Sequence, residues 1–99
     1  MKHQINIRHL RYFVAVAEAE SFCGGARRLG LSQPAVSQQM RMLECYLGIS
    51  LFRRCGKRTL LTPAGLTFLK PAGDITRRFD DLIRTLGKES DLSEVPPRD

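Results

Sequence analysis

Apolar residues recur at helical spacing near the start of the chain. The segment "IRHLRYFVAVAEA" contains a stripe of apolar residues spaced three or four positions apart: Leu10, Phe13, Val14 and Ala17. Asn6 precedes the stripe and has a side chain suited to capping a helix N-terminus. The pattern predicts a first helix over residues 7–19 with this stripe in the core.

A second, shorter helix is predicted from Ser21 to Leu29. The Ser21 hydroxyl can cap its start, and Gly30 suits the left-handed residue that ends a helix. Gly24 and Gly25 lie inside it, and each costs roughly 1 kcal/mol relative to alanine in a helix interior. We therefore expect these two glycines to weaken the second helix.

A third helix follows after a very short connection. Ser32 can cap it, and Pro34 suits the first turn because the missing amide hydrogen would have no helical partner there. The helix is predicted to run to Leu47 and to stop at Gly48. Two helices joined by a tight turn that contains glycine are typical of a helix-turn-helix.

The next segment has the pattern of a β-hairpin. "SLFRR" and "RTLLT" flank "CGK", which places Gly56 at the tip. Four basic residues crowd this hairpin: Arg53, Arg54, Lys57 and Arg58.

Thr62 and Pro63 are a start signal for a fourth helix, predicted to reach about Leu86 and to end near Gly87. The tail "KESDLSEVPPRD" lacks apolar periodicity and is predicted to be a flexible hinge or frayed terminus. Pro71 interrupts the helix, and a kink is expected there.

The fourth helix carries apolar residues at alternating spacings of four and three, as in a coiled-coil seam: Phe68, Ala72, Ile75, Phe79, Leu82 and Leu86. Packing on the chain's own core is a credible alternative for Phe68 and Ala72. Beyond Ile75 we favour a partner helix, because so small a domain cannot bury the whole stripe against itself.

The chain has 99 residues and a net charge of +6, which fits one small domain. Residues 1–65 hold ten Lys and Arg against three Asp and Glu, whereas residues 66–99 are close to neutral. This asymmetry points to a polyanionic partner, nucleic acid or anionic membrane, although many basic domains have none.

Other chemistry has little support in the sequence. Cys23, Cys45 and Cys55 form no Cys-x-x-Cys pair, so neither a disulfide framework nor a metal site is expected, and a reducing cytoplasm fits best. A role for Cys23 or Cys55 in redox sensing stays open. His3 and His9 have no carboxylate partner nearby in sequence, so no catalytic residues are predicted, and His9 is interpreted simply as a polar residue of the first helix. The residues at the amino terminus lack the apolar run of a signal peptide, and no apolar segment approaches membrane-spanning length, so a soluble intracellular chain is expected.

The third helix has an unusual outer face. One side carries Val36, Met40, Leu43 and Leu47, the opposite side carries Pro34, Ser37, Gln38, Arg41 and Cys45, and Gln33 lies at the amino-terminal edge. Glutamine can pair with adenine in the major groove, arginine with guanine, and an apolar side chain can meet a thymine methyl. A solvated polar face is the alternative, but the tight turn, the basic segment and the hairpin favour DNA.

"LRYFVAVAEAESF", "ARRLGLSQPAVSQQMRMLE", "LGISLFRR" and "LTPAG" resemble, in order and spacing, the amino-terminal winged helix-turn-helix of LysR-type transcriptional regulators. The resemblance implies a recognition helix over residues 31–47 that reads bases, a wing with Arg54 at or in the minor groove, and a linker helix that pairs two subunits. It departs from the family where Gln38 replaces a common arginine, where Arg53 replaces a frequent glutamate, and where Gly24 and Gly25 replace a basic residue and an alanine.

The predicted fold is mostly α: three helices and a two-stranded wing in residues 1–62, a dimerisation helix in 63–87, and a tail in 88–99. The predicted function is sequence-specific binding of double-stranded DNA at an inverted repeat, as a cytoplasmic homodimer without cofactor, metal, effector site or membrane. A dimeric adaptor that meets an acidic protein is the main alternative, and an enzyme is a distant third. Predicted base-reading residues are Gln33, Pro34, Ser37 and Gln38; predicted backbone or minor-groove contacts are Ser21, Ser32, Arg41, Arg53, Arg54, Lys57 and Arg58; the predicted dimer interface is the seam from Phe68 to Leu86.

Overall fold

The computed structural model describes residues 4–88. These residues form four helices and one two-stranded sheet, in the order predicted from the sequence. The elements are α1 (Ile7–Ala19), α2 (Phe22–Leu29), α3 (Gln33–Leu47), β1 (Phe52–Cys55), β2 (Arg58–Leu61) and α4 (Pro63–Lys88).

Local capping fixes where the helices begin. The Asn6 side chain accepts hydrogen bonds from the amides of Arg8 and His9, and the Ser21 hydroxyl accepts one from Gly24. Ser32 caps α3, and the Thr62 hydroxyl accepts from the third residue of α4. All four predicted caps are therefore confirmed, since each supplies an acceptor for amides that have no helical partner.

The fourth helix has the predicted start and extends one residue beyond the predicted end near Gly87. α4 begins at Pro63, continues through Pro71 as one element and reaches Lys88, the last described residue. Glycine is tolerated inside a helix at a modest energetic cost, so Gly87 does not have to end it. The rest of the predicted tail, residues 89–99, lies outside the described part of the chain.

The hairpin has the predicted position. β1 and β2 pair antiparallel from Phe52 opposite Leu61 to Cys55 opposite Arg58, so only two residues turn the chain. Gly56 has a φ of 63°, which a residue without a Cβ adopts at little cost.

The core gathers one face from each of the first three helices, with Leu51 and part of α4: Phe13, Val16, Ala26, Val36, Met40, Leu43, Leu51 and Ala72. The face of α1 that is most buried is rotated from the predicted one, since His9 and Val16 flank Phe13 while Leu10, Val14 and Ala17 are only partly buried. The Phe13 ring lies 5.2 Å from the ring of Phe52 and 5.1 Å from that of Phe68, so the wing and α4 both close over it. Aromatic pairs at such distances add to the stabilisation from burial.

An ion pair fastens α4 to the start of the domain. The two terminal guanidinium nitrogens of Arg11, Nη1 and Nη2, donate hydrogen bonds to the Asp80 carboxylate at 3.2 and 2.6 Å. Arg11 also lies over the Phe79 ring, 5.3 Å from its centre. Hydrogen bonding from Arg11 lowers the pKa of Asp80 below its ordinary value.

Across residues 4–88, every helix is too short or too polar to cross a lipid bilayer.

Candidate nucleic-acid interface

The outer face of α3 presents the predicted set of polar side chains. Val36, Met40 and Leu43 are buried beneath it. Gln33, Pro34, Gln38 and Arg41 are exposed and Ser37 is half-buried. Pro34, Ser37, Gln38 and Arg41 share one accessible helix face, because an apolar stripe on one side of a helix turns the other side outward, and Gln33 lies at the amino-terminal edge of that face.

The connection between α2 and α3 sets the position of that face. Gly30 ends α2 in the left-handed region, and the Leu31 amide donates to the Ala26 carbonyl at 3.0 Å. Only three residues separate the two helices. The structure therefore has the tight turn that the sequence predicted.

Gly25 has a packing role that the sequence did not reveal. A Cβ at this position would lie 2.7 Å from Val16 Cγ2 and 2.8 Å from Val16 Cα. Such separations are far shorter than the contact distance of carbon atoms. The glycine allows α2 to lie directly on the α1 backbone, which compensates for its low helix propensity.

The four basic residues of the wing are all exposed but differ in their contacts. The Arg54 guanidinium lies over the Phe22 ring of α2, 5.7 Å from its centre. Arg58 forms an ion pair with Glu20, in the turn between α1 and α2. The Thr59 amide also donates to the Glu20 carbonyl at 3.0 Å, so the wing is held against that turn.

A groove of about 250 Å³ lies between α3 and the wing. Ser37 and Arg41 of α3 line one side, and Arg53 and Arg54 of β1 line the other. Glu44 is the one carboxylate among its lining residues. The groove thus brings predicted base-reading and backbone-binding residues together in a positively charged concavity.

Glu44 of α3 is a residue of this region that the sequence pattern did not single out. Its Oε2 accepts hydrogen bonds from the amides of Leu51 at 2.7 Å and Phe52 at 3.2 Å, and lies 3.4 Å from the Ser50 hydroxyl. The acceptor therefore joins α3 to the start of the wing. A spacing of seven and eight residues across a loop carries no local sequence signal, so the pattern could not reveal it.

Two predicted backbone contacts, Ser21 and Ser32, use their hydroxyl oxygens as helix caps. Their hydroxyl hydrogens are not committed by those bonds, because a serine hydroxyl both accepts and donates.

His9 is a polar residue of the first helix, as interpreted, and the structure adds that it is buried there. Its Nδ1 accepts the Asn6 amide at 3.1 Å, and its buried Nε2 has no hydrogen-bond partner among the described residues. Burial lowers the pKa of His9, the Gln39 side chain opposes that shift, and the Arg8 charge adds to it. The ring lies 6.1 Å from that of Tyr46 in α3, so the histidine belongs to the α1–α3 contact.

The predicted seam on α4 divides into two parts. Ala72 is buried in the core of the same chain and Phe68 packs against it, as the alternative interpretation expected. Ile75, Phe79, Leu82 and Leu86 remain 49%, 39%, 55% and 56% exposed. Ile83, which the sequence analysis did not single out, is 53% exposed beside them.

The cysteines and histidines form no further site in the described chain. Cys23, Cys45 and Cys55 are free and exposed. Within residues 4–88, no three His, Cys, Asp or Glu side chains are grouped so that they could hold a metal ion.

A short second helix, an exposed third helix and a basic two-stranded hairpin define a winged helix-turn-helix. Residues 7–66 match the family described as "Bacterial regulatory helix-turn-helix protein, lysR family". The chain belongs to this family.

Several curated proteins are similar to the chain. It is 48% identical over 77 residues to the uncharacterized HTH-type transcriptional regulator YnfL of Escherichia coli (strain K12), a match that covers 78% of this chain and 26% of that protein. It is 47% identical over 81 residues to the HTH-type transcriptional regulator TfdS of Cupriavidus pinatubonensis (strain JMP 134 / LMG 1197), covering 82% and 26%. The chain thus spans about a quarter of the length of these relatives.

Two similar solved structures are complexes with DNA. The complex of BenM_DBD with catB site 1 DNA superposes with a TM-score of 0.81 and 36% identity, covering 87% of this chain and 96% of that one. The CbnR_DBD–DNA complex gives a TM-score of 0.70 and 40% identity, covering 89% and 97%.

Proposed function

We propose that the chain binds double-stranded DNA sequence-specifically, as the DNA-binding part of a transcriptional regulator, without catalytic chemistry or a cofactor. One observation carries this proposal: the exposed, carboxylate-free start of α3 lies beside a wing with four exposed cations. Amides and hydroxyls can read base edges, and cations beside them can neutralise phosphates. The BenM_DBD and CbnR_DBD complexes with DNA support the proposal by similarity of fold and sequence.

The start of α3 supplies the proposed base contacts. Gln33 and Gln38 can form paired hydrogen bonds with adenine, Ser37 can bond several groups, and Pro34 can meet a thymine methyl. Pro34, Ser37 and Gln38 lie on the accessible face and Gln33 at its amino-terminal edge, and a major groove is wide enough to admit a helix in this way.

Arg41 of α3, the wing and two helix caps supply the proposed backbone contacts. Arg41, Arg53 and Arg54 face the groove between α3 and the wing, and Lys57 lies in the turn beyond it. Arg58 would contribute less, because Glu20 already compensates its charge. Ser21 and Ser32 stand at helix N-termini, where free amides favour a phosphate.

The exposed part of the α4 seam is proposed to pair two subunits. Ile75, Phe79, Leu82 and Leu86 form an apolar stripe that the rest of the described chain leaves uncovered. Residues 1–62 would then act as the DNA-reading unit and 63–87 as the pairing helix. Two-fold pairing predicts an inverted-repeat site with half-sites about one DNA turn, roughly 34–36 Å, apart or a multiple of it.

Selection of bound duplexes from random DNA, followed by salt titration, tests the function. The affinity should fall steeply with salt, because each phosphate contact releases counterions. Gln33→Ala should cost about 1–3 kcal/mol on the selected site and little on random DNA. An affinity that is independent of salt and sequence would favour the adaptor interpretation instead.

A further inference from the structure

The carboxylate of Glu44 occupies a position that is costly for a DNA-binding surface. It lines the same groove as Arg41, Arg53 and Arg54, where the proposed function places a phosphate. A negative charge there opposes binding. Its presence in the groove calls for a role that outweighs this repulsion.

The contacts of Glu44 supply that role. A single oxygen, Oε2, accepts hydrogen bonds from two amides: that of Leu51, the last residue before β1, and that of Phe52, the first residue of β1. Hydrogen bonds to a carboxylate are shorter and roughly twice as strong as neutral ones. One oxygen of the recognition helix therefore fixes where the wing begins.

The segment that Glu44 holds is also tied to α4. The Thr62 hydroxyl donates to the Ser50 carbonyl at 2.7 Å, and the Thr62 amide donates to the Leu51 carbonyl at 3.0 Å. Leu51 itself is buried in the core. Residues 50–52 thus form a joint at which α3, the wing and the start of α4 meet.

We propose that Glu44 is a positioning residue for DNA binding, which holds Arg53 and Arg54 of the wing in register with the base-reading face of α3. This inference rests on the proposed function. The wing then contacts the DNA backbone at the same time as α3 enters the major groove. Because the wing is already ordered, binding carries no entropic cost for ordering it.

Two replacements of Glu44 separate its charge from its acceptor. Glu44→Gln removes the charge but keeps an oxygen that can accept both amides, whereas Glu44→Ala removes both. Glu18→Ala removes an exposed carboxylate from α1, where its partner is Arg28 at 3.6 Å, and is the matched control for charge. At 0.15 M salt, Glu44→Ala should weaken binding by about 5-fold for each wing contact that is lost and make the log–log salt slope shallower by about 0.9. Glu44→Gln and Glu18→Ala should bind at least as tightly as the parent.

A second background tells positioning from simple loss of stability. In a chain in which Arg53, Arg54 and Lys57 are all alanine, Glu44→Ala should cost little further affinity, because the wing no longer contributes. The proposal is overturned if Glu44→Ala lowers the logarithm of the DNA affinity in this triple-alanine background by at least half as much as it does in the parent. It is also overturned if Glu44→Gln and Glu44→Ala lose equal affinity in the parent. Amide exchange at Leu51 and Phe52 should accelerate in Glu44→Ala and not in Glu44→Gln, and unchanged exchange also overturns it. A parent that binds no DNA would refute the proposed function, whereas the exchange measurement still tests the joint.

Discussion

Replacing Gly25 by alanine tests the close approach of α2 to α1, on which the position of α3 depends. The added Cβ would lie 2.7 Å from Val16 Cγ2, 2.8 Å from its Cα and 3.0 Å from its amide nitrogen. Two of these three atoms belong to the backbone, so a rotamer change cannot relieve the overlap. The helix has to shift, and the turn that follows Leu29 shifts with it.

The expected magnitude comes from two opposing terms. Alanine in place of glycine favours a helix interior by about 1 kcal/mol. Overpacking costs typically about 1–3 kcal/mol, and contact with backbone atoms places Gly25→Ala at the upper end. The net loss in the free energy of unfolding should be about 2 kcal/mol.

Gly73→Ala is the matched control. Gly73 is also helical and buried, but the nearest atom to its added Cβ is Arg77 Nη1 at 3.5 Å, the tip of a flexible side chain. This variant should gain about 1 kcal/mol from helix propensity alone.

Urea unfolding followed by circular dichroism measures both variants, at one chain concentration because any dimer makes stability depend on it. With roughly 1 kcal/mol per molar urea for a chain of this size, the midpoint should fall by about 2 M for Gly25→Ala and rise by about 1 M for Gly73→Ala. If Gly25→Ala stabilises the chain as much as the control does, the packing argument is refuted.

Three further predictions concern the proposed interfaces and pH. Leu82→Asp should sediment as a monomer and lose affinity for a full site while half-site binding persists; a dimeric variant contradicts the pairing of α4. Arg54→Ala should make the log–log salt slope shallower by about 0.9, and Arg58→Ala by less because of its ion pair with Glu20; equal reductions contradict that distinction. Burial lowers the pKa of His9, so below about pH 6.5 the unfolded chain binds a proton at this residue more readily than the folded chain does. The free energy of unfolding should therefore fall as the pH drops below that value, by at most about 1.4 kcal/mol per pH unit. Urea titrations of His9→Gln should lack this component, and a pH dependence equal to the parent's would assign it elsewhere.

The sequence predicted what local chemistry determines. Asn6, Ser21, Ser32 and Thr62 each cap the helix that follows, and a cap is recognisable from a few neighbouring residues. The outer face of α3 was predictable for the same reason, since helical periodicity alone separates it from the buried stripe.

Features that depend on distant parts of the chain were not predictable. Gly25 was predicted only to weaken its helix, since its packing on Val16 is not visible in the sequence, and Glu44 was not singled out, since the amides that it accepts lie beyond the end of α3. The burial of His9 was not predicted because its packing against Tyr46 of α3 appears only when the helices are packed. In each case a single residue makes its contact across elements, where periodicity carries no information.

The last turns of α4 extend beyond the point at which the Arg11–Asp80 ion pair holds the helix to α1. Asp80 ties the helix to α1 through Arg11, and every residue from Asp81 to Lys88 is exposed. Eight residues of helix extend about 12 Å. A tilt of roughly 10° at Asp80 would therefore move the far end by about 2 Å, and a force applied at Lys88 would act on the Arg11–Asp80 ion pair with the mechanical advantage of that arm.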